Sequence, residues 1–401
     1  MSQSKSSNSR MLLLMINMFI AMLGIGLIIP VIPEFLREFD AGGKTAGYLI
    51  AAFGITQFIC SPIAGELSDK YGRKLMIVIG LVLFTISNLV FAMADHISWL
   101  YISRLIGGVG AAAMVPAMLA YVADITTEEE RGKGLGLLGA AMSLGFVVGP
   151  GVGGFLAELG VRAPFYVSAG AGAVAMLGSL LLVPESLSIE ARMSARAMKE
   201  KRENIVKQFI RSTKSSYFIL LVLVFTLTFG LINFEAIFPL FVDAKFGYTT
   251  RQISIIITVG ALAGVIIQSI YIGKLINRFG EKALINWTFL LSAVSLLLML
   301  LTGNFYFILI ITTVFFTLTS IMRPAINTLL SKSAGEEQGF VAGMNNAYMS
   351  LGNILGPAVA GTIYDVDINA PYLLGAVVLV ISLFLSMARV KVKKQSATIA
   401  S

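Results

Sequence analysis

Ser143-Leu144-Gly145-x-x-x-Gly149-Pro150 recurs 207 residues further on as Ser350-Leu351-Gly352-x-x-x-Gly356-Pro357. At the same offset Gly132 pairs with Gly339, Gly154 with Gly361, and Ala163-Pro164 with Ala370-Pro371. Residues 65–74 (GELSDKYGRK) are echoed by residues 273–282 (GKLINRFGEK), one position out of step. The chain is two copies of one unit, so any fold it adopts must be built as a pair.

Composition decides what the unit is made of. Only 13% of the residues are charged against 57% hydrophobic, and the mean hydropathy is +0.85. That leaves too little polar surface to cover a soluble globule of 401 residues. About 20 apolar residues cross the hydrocarbon of a bilayer. Twelve runs qualify: residues 11–33, 46–65, 75–94, 98–123, 135–158, 164–183, 217–241, 252–273, 283–302, 305–328, 339–364 and 370–388. The expectation is an all-α membrane protein with twelve transmembrane helices in two parallel six-helix repeats. One bundle spans 1–183, a connection covers 184–216, and the second bundle with a short tail covers 217–401. Repeats related by an axis along the membrane normal place a site near the midplane, between the halves.

Charge placement gives the orientation. The first run is too long for a cleaved signal, and Pro30 and Pro33 stand where a small-residue cleavage site would be. With both termini cytoplasmic, 23 of the 30 Lys and Arg residues fall on the inner side. The outer loops hold five, Arg37, Lys44, Arg162, Lys245 and Arg251, while Arg104 and Arg323 lie within spans. Such a bias orients a membrane protein and explains the net charge of +8 without nucleic acid. The lone Cys60 cannot form an internal disulfide and reads as a small buried hydrophobe. The 184–216 connection carries eight basic residues among Glu185, Glu190, Glu200 and Glu203. It fits either helices along an anionic inner leaflet or a solvated linker.

Three sets of residues carry chemistry. In the 65–74 loop, Gly65 and Gly72 permit tight turns, Asp69 can accept from helix N-terminal amides, and Arg73 can bridge to Asp124. Together they form an expected inner latch; the alternative is a loop whose charges merely obey the orientation rule. In span 5, Gly145, Gly149, Gly153 and Gly154 allow close helix approach, and Pro150 removes a backbone hydrogen bond. Glu235 is the third. It is the one ionisable residue between Tyr217 and Asp243, and a charge in hydrocarbon is costly enough that it should face the bundle interior. There it could exchange a proton or pair with a cation, or serve as a structural glutamate bonded to a neighbouring helix. Arg104 and Arg323 should pair with carbonyls, polar side chains or a carboxylate. Gln57, Asn17, Asn233, Asn345 and Asn346, with Phe19, Phe53, Phe146, Phe234 and Phe238, suggest a wide, greasy, sparsely polar cavity suited to bulky amphipathic ligands. Asn17 and Gln57 could instead bind helices together. Glu34 is a second acid or a solvated one, and His96 falls in an outer loop, away from any relay.

The 65–74 loop taken with the repeats resembles the signature of the major facilitator superfamily, and the resemblance covers the entire chain. Gly145-x-x-x-Gly149-Pro150-x-x-Gly153-Gly154 is similar to that superfamily's antiporter motif, and Arg104-x-x-Gly107-Gly108 to another of its signatures. The stretches at 23–33, 47–65, 103–112, 322–325 and 338–361 look more narrowly like the Gram-positive multidrug exporters that remove fluoroquinolones and cationic dyes. The resemblance implies proton-coupled export by alternating access, driven by the proton gradient with no cofactor or metal, from a monomer in a bacterial cell membrane. It also implies a proton-coupling and drug-binding role for Glu235. In span 10 those exporters resemble one another in an aspartate three residues before Arg-Pro, where this chain has Ser320. The coupling scheme therefore does not carry over whole. An importer or symporter of a specific metabolite remains the alternative. A nucleotide-binding loop of P-loop type, a metal-ligand cluster and a nucleophile–base set are all lacking, so ATP-driven or hydrolytic chemistry has no support.

Overall fold

A computed structural model describes residues 2–197, 205–335 and 337–389. The first half holds α1 (Ser2–Ile28), α2 (Ile32–Arg37), α3 (Gly43–Tyr71), α4 (Arg73–Ala92), α5 (Ile97–Ile125), α6 (Glu128–Ala157) and α7 (Ala163–Leu182). The second holds α10 (Phe218–Phe246), α11 (Thr250–Phe279), α12 (Glu281–Leu298), α13 (Phe305–Ala334), α14 (Gln338–Tyr364) and α15 (Ala370–Arg389). Between them lie α8 (Ile189–Ala197) and α9 (Ile205–Thr213); part of the basic connection, 198–204, lies outside the described residues. No strand occurs among the described residues.

Among the described residues, eleven helices, counting α1, its 3-10 turn at Ile29–Val31 and α2 as one, are long and apolar enough to cross a membrane. The sequence suggests twelve. The remaining helix, α14, is 27 residues long, but Asn345, Asn346 and Asn353 dilute its hydropathy. It is nonetheless an interior helix, packed on α10 within its own half and on α3 across the interface. The helices also outrun the apolar spans. α3 runs from Gly43 to Tyr71 where hydropathy marks 46–65, because its charged last turns emerge beyond hydrocarbon depth.

The duplicated motif performs the same two tasks in each half. In α6, Gly145 and Gly153 face α1: a Cβ on Gly145 would stand 2.4 Å from the Phe19 carbonyl oxygen, and one on Gly153 2.2 Å from that of Leu27. In α14, Gly352 and Gly356 lie against Phe229 of α10 in the same way. The motif's far end then turns to the other half. Gly154 meets Ser254 of α11, and Gly361 meets Gly43 and Gly47 of α3. Missing side chains thus bring backbones into contact where hydrocarbon gives no hydrophobic reason for helices to associate. The halves meet through two equivalent pairs, α3 with α14 and α6 with α11.

These pairs do not stay in contact along their length. A Cβ at Gly47 would lie 2.0 Å from the Pro357 carbonyl oxygen, one at Gly54 would lie 3.2 Å from Ile354, and one at Gly65 would have nothing within 4 Å. Along α6 the series is Gly154 at 1.9 Å from Ser254, Gly151 at 3.1 Å from Thr258, then open space at Gly139 and Gly136. Polar contacts between the halves gather at the tight end. Arg37 pairs with Asp243 at 2.8 Å, Thr250 donates to Glu34 at 2.9 Å, and Arg251 approaches Glu158 at 3.7 Å. The molecule is closed at the face bearing these residues and parted at the face where α1 begins and the connection lies.

Candidate functional site

Between the halves, on the parted side of the closed end, lies a cavity of about 370 Å³. Its wall is mostly Met, Ile and Phe, including Phe53 and Phe146, and its polar groups are Gln57, Arg104, Glu235 and Asn353. The structure therefore brings together Glu235, Arg104, Gln57 and Phe146 among the sequence-derived candidates. Others fall elsewhere. Phe19 does not line this space; its carbonyl receives the close approach of Gly145. Arg323 and Asn345 line a separate recess with Thr228 and Asn327, where Asn345 Oδ1 is buried without a hydrogen-bond partner. Phe234 and Phe238 form an adjoining aromatic recess with Phe316, which shares Glu235. Asn17 donates to Ser179 Oγ at 2.7 Å and ties α1 to α7.

Glu235 stands in the middle of α10, a helix otherwise buried on nearly every face. Among the described residues its carboxylate has neither a hydrogen bond nor an ion pair, and the charge that acts on it is Arg323. The hydrogen bond to a neighbouring helix that a structural glutamate needs is missing. Arg104 projects from α5 with its guanidinium 4.3 Å from the centroid of Phe91, which is itself stacked on Phe165 at 4.4 Å. The carboxylate or carbonyl partner expected for Arg104 is replaced by an aromatic face. Glu34 sits at the closed face, exposed, with Thr250 as its donor. His96 caps α5, its Nδ1 accepting from Ser98 N at 3.3 Å.

At the parted face the latch residues form one network within the first half. Arg73 pairs with Asp69 at 2.6 Å and with Asp124 at 3.2 Å, and donates to Ser68 Oγ at 3.1 Å. A Cβ on Gly65 would meet nothing within 4 Å. Gly72 has φ +115°, and a Cβ there would stand 2.1 Å from Glu185 Oε2. Glu185 accepts from the Arg73 and Lys74 amides at 2.9 and 3.2 Å, capping α4, and Ser186 donates to Asp124 at 2.8 Å. Sequence reasoning missed Glu185; its signal was an acid directly after Pro184, where the sixth span ends. The second half repeats the bridge with its charges exchanged: Glu281 pairs with Lys332 at 2.5 Å, at positions matching Arg73 and Asp124.

The chain matches the family model of the Major Facilitator Superfamily over residues 14–268 and again over 220–400. It is 43% identical over 388 residues to Multidrug resistance protein 2 of Bacillus subtilis (strain 168), covering 97% of each chain. With Quinolone resistance protein NorA of Staphylococcus aureus (strain COL) it shares 36% over 394 residues, covering 97% of this chain and all of that one. The fold is that of the nucleoside transporter NupG (TM-score 0.79, 15% identity, 96% of this chain and 100% of that one). It is also that of a bacterial homologue of the lysosomal transporter Spinster in an inward-facing, occupied conformation (0.76, 14%, 94% and 95%). The duplicated helices, the two crossed interface pairs and these matches agree, and the chain belongs to the major facilitator superfamily.

Proposed function

We propose that the chain exports bulky amphipathic drugs, cationic dyes and fluoroquinolones among them, from the bacterial cytoplasm in exchange for protons. The observation that carries this reading is Glu235, an unpartnered carboxylate on the wall of an apolar cavity between two halves closed at one face only. The distribution of Lys and Arg makes the parted face cytoplasmic, so the conformation described is the loading state. An ammonium group enters from the cytoplasm and is held by ionised Glu235 inside a cavity too apolar to bind it otherwise. Rocking of the halves opens the other face, a proton from outside neutralises the carboxylate, and the drug's attraction is lost. The protonated form then returns to the inner side and releases its proton. The apolar wall of Met, Ile and Phe gives affinity with little demand on shape, which suits many ligands. The names of the Bacillus and Staphylococcus relatives support a drug as cargo. The chain works as a monomer in this reading, with the proton gradient in place of a cofactor.

The test is ethidium and norfloxacin efflux from energised vesicles, with and without a protonophore, comparing wild type with Glu235→Gln. The expected result is protonophore-sensitive export by wild type, and a folded variant that cannot move either drug uphill. Undiminished uphill export by Glu235→Gln would sink the proposal.

A further inference from the structure

The central cavity holds one acid and one base, and the two are not paired with each other. The charge acting on Glu235 is Arg323, in the separate recess with Thr228 and Asn327. No charged side chain acts on Arg104, and among the described residues none hydrogen-bonds to it. Its guanidinium carbon lies 4.3 Å from the centroid of Phe91, which Phe165 backs in turn. Arg104 lies near the start of α5 and lines the cavity.

A guanidinium enclosed in this way is expensive. Taking an ion out of water costs more than a single cation–π contact returns. Packing alone would be served as well by leucine. What the arrangement supplies is a planar fork of donors held against an aromatic ring and lacking an acceptor, and such a fork takes a carboxylate through two parallel hydrogen bonds. From the same cavity Glu235 offers the complementary sign.

We propose that Arg104 is a carboxylate subsite, so that the preferred cargo is an amphipathic zwitterion: an apolar body with its carboxylate on Arg104 and its ammonium toward Glu235. The inference deepens the export reading and rests on it. It adds that a neutral or purely cationic analogue of the same size leaves Arg104 uncompensated and binds less well. Glu235 selects for the positive end and is cleared by a proton. Arg104 selects for the negative end and stays charged throughout the cycle.

The experiment is binding to the purified protein, read from ligand fluorescence, with norfloxacin and with its carboxamide, which has the same size and no negative charge. The readout is the ratio of the two dissociation constants. In wild type norfloxacin should bind about tenfold more tightly or better, the usual worth of a hydrogen bond to a charged group. In Arg104→Gln the ratio should collapse to about one, whatever the absolute affinities. Arg104→Lys, which keeps the charge without the fork, should fall between. A wild-type ratio near one overturns the proposal without any variant, as does a ratio that Arg104→Gln leaves unchanged. Failure of the export reading would show separately, as dye efflux indifferent to a protonophore, because the binding ratio needs no gradient.

Discussion

At the closed face the halves touch backbone to backbone; at the parted face the same helices present glycines to empty space. Both ends of α3 carry a glycine, yet a Cβ at Gly47 would run into the Pro357 carbonyl while one at Gly65 would meet nothing within 4 Å. Both ends also carry ion pairs, but two of those at the closed face, Arg37–Asp243 and Arg251–Glu158, cross between halves, whereas the Arg73 network stays within one half and its connection. The difference assigns separate tasks to the two kinds of contact. Glycine surfaces let the halves seal without committing side chains that must be unpacked to reopen. Ion pairs bias which face is sealed, and each exposed pair is worth only about 0–1 kcal/mol. A transporter needs this balance: two conformations within a few kcal/mol of each other, so that cargo and protons decide between them.

The largest effect should come from filling the seal. Gly47→Leu drives a side chain into the Pro357 backbone, and overpacking costs typically about 1–3 kcal/mol. That shifts the conformational equilibrium roughly ten- to hundredfold toward opening of the closed face. Spin labels at Glu158 and Arg251, in a Cys60→Ser background, should move apart, and drug efflux should fall with the lost conformation. Gly65→Ala, beside open space, should leave the label distance where it is. Equal displacement by both substitutions would show that the two faces do not differ in the way described.

Next in size are the two bridges of opposite sign. Arg73 is only 12% exposed and depends on Asp69 and Asp124 together, while Lys332 is 61% exposed opposite a nearly buried Glu281. Removing a partner from a largely buried charge costs more than removing a solvated one. Asp124→Asn leaves Arg73 paired with Asp69 and should destabilise the first half by about 1 kcal/mol, whereas Lys332→Met strands the nearly buried Glu281 and should destabilise the second by about 2, read as unfolding midpoints in detergent. Exchanging the charges within one bridge should recover most of the loss. A double swap no better than the single variants would mean that the residues do not act as a pair.

How far this was legible in the sequence differs by region. The repeat, the glycine motif and the isolation of Glu235 could be read because apolar helices need little besides small residues for contact and tolerate a charge only for cause. The cavity lining was read in part. Gln57, Arg104 and Phe146 belong to it, whereas Phe19 and Asn345 do not, because α1 and α14 turn those faces elsewhere and hydropathy carries no phase in a helix that is apolar all round. Arg104 on Phe91 could not be foreseen, since residues 13 apart in sequence meet only once α4 and α5 pack. The exchanged bridge was present in the alignment of residues 65–74 with 273–282, where Arg73 faces Glu281, but its meaning required Lys332 to arrive from α13.

The smallest effect is the one that isolates the ion pairs. Arg37 donates to both oxygens of Asp243, at 2.9 and 2.8 Å, from a side chain that is 64% exposed. Asp243→Asn should cost about 0.5 kcal/mol, a two- to threefold shift toward opening of this face. The shift should shrink as salt rises, because exposed charges are screened over about 10 Å at 0.1 M. Reversing both charges, Arg37→Asp with Asp243→Arg, should restore the original label distances at low salt. The Gly47→Leu displacement, being steric, should show no salt dependence at all. If salt moved both variants equally, the seal would be electrostatic after all, and the glycines at the closed face would be passengers of the charges around them.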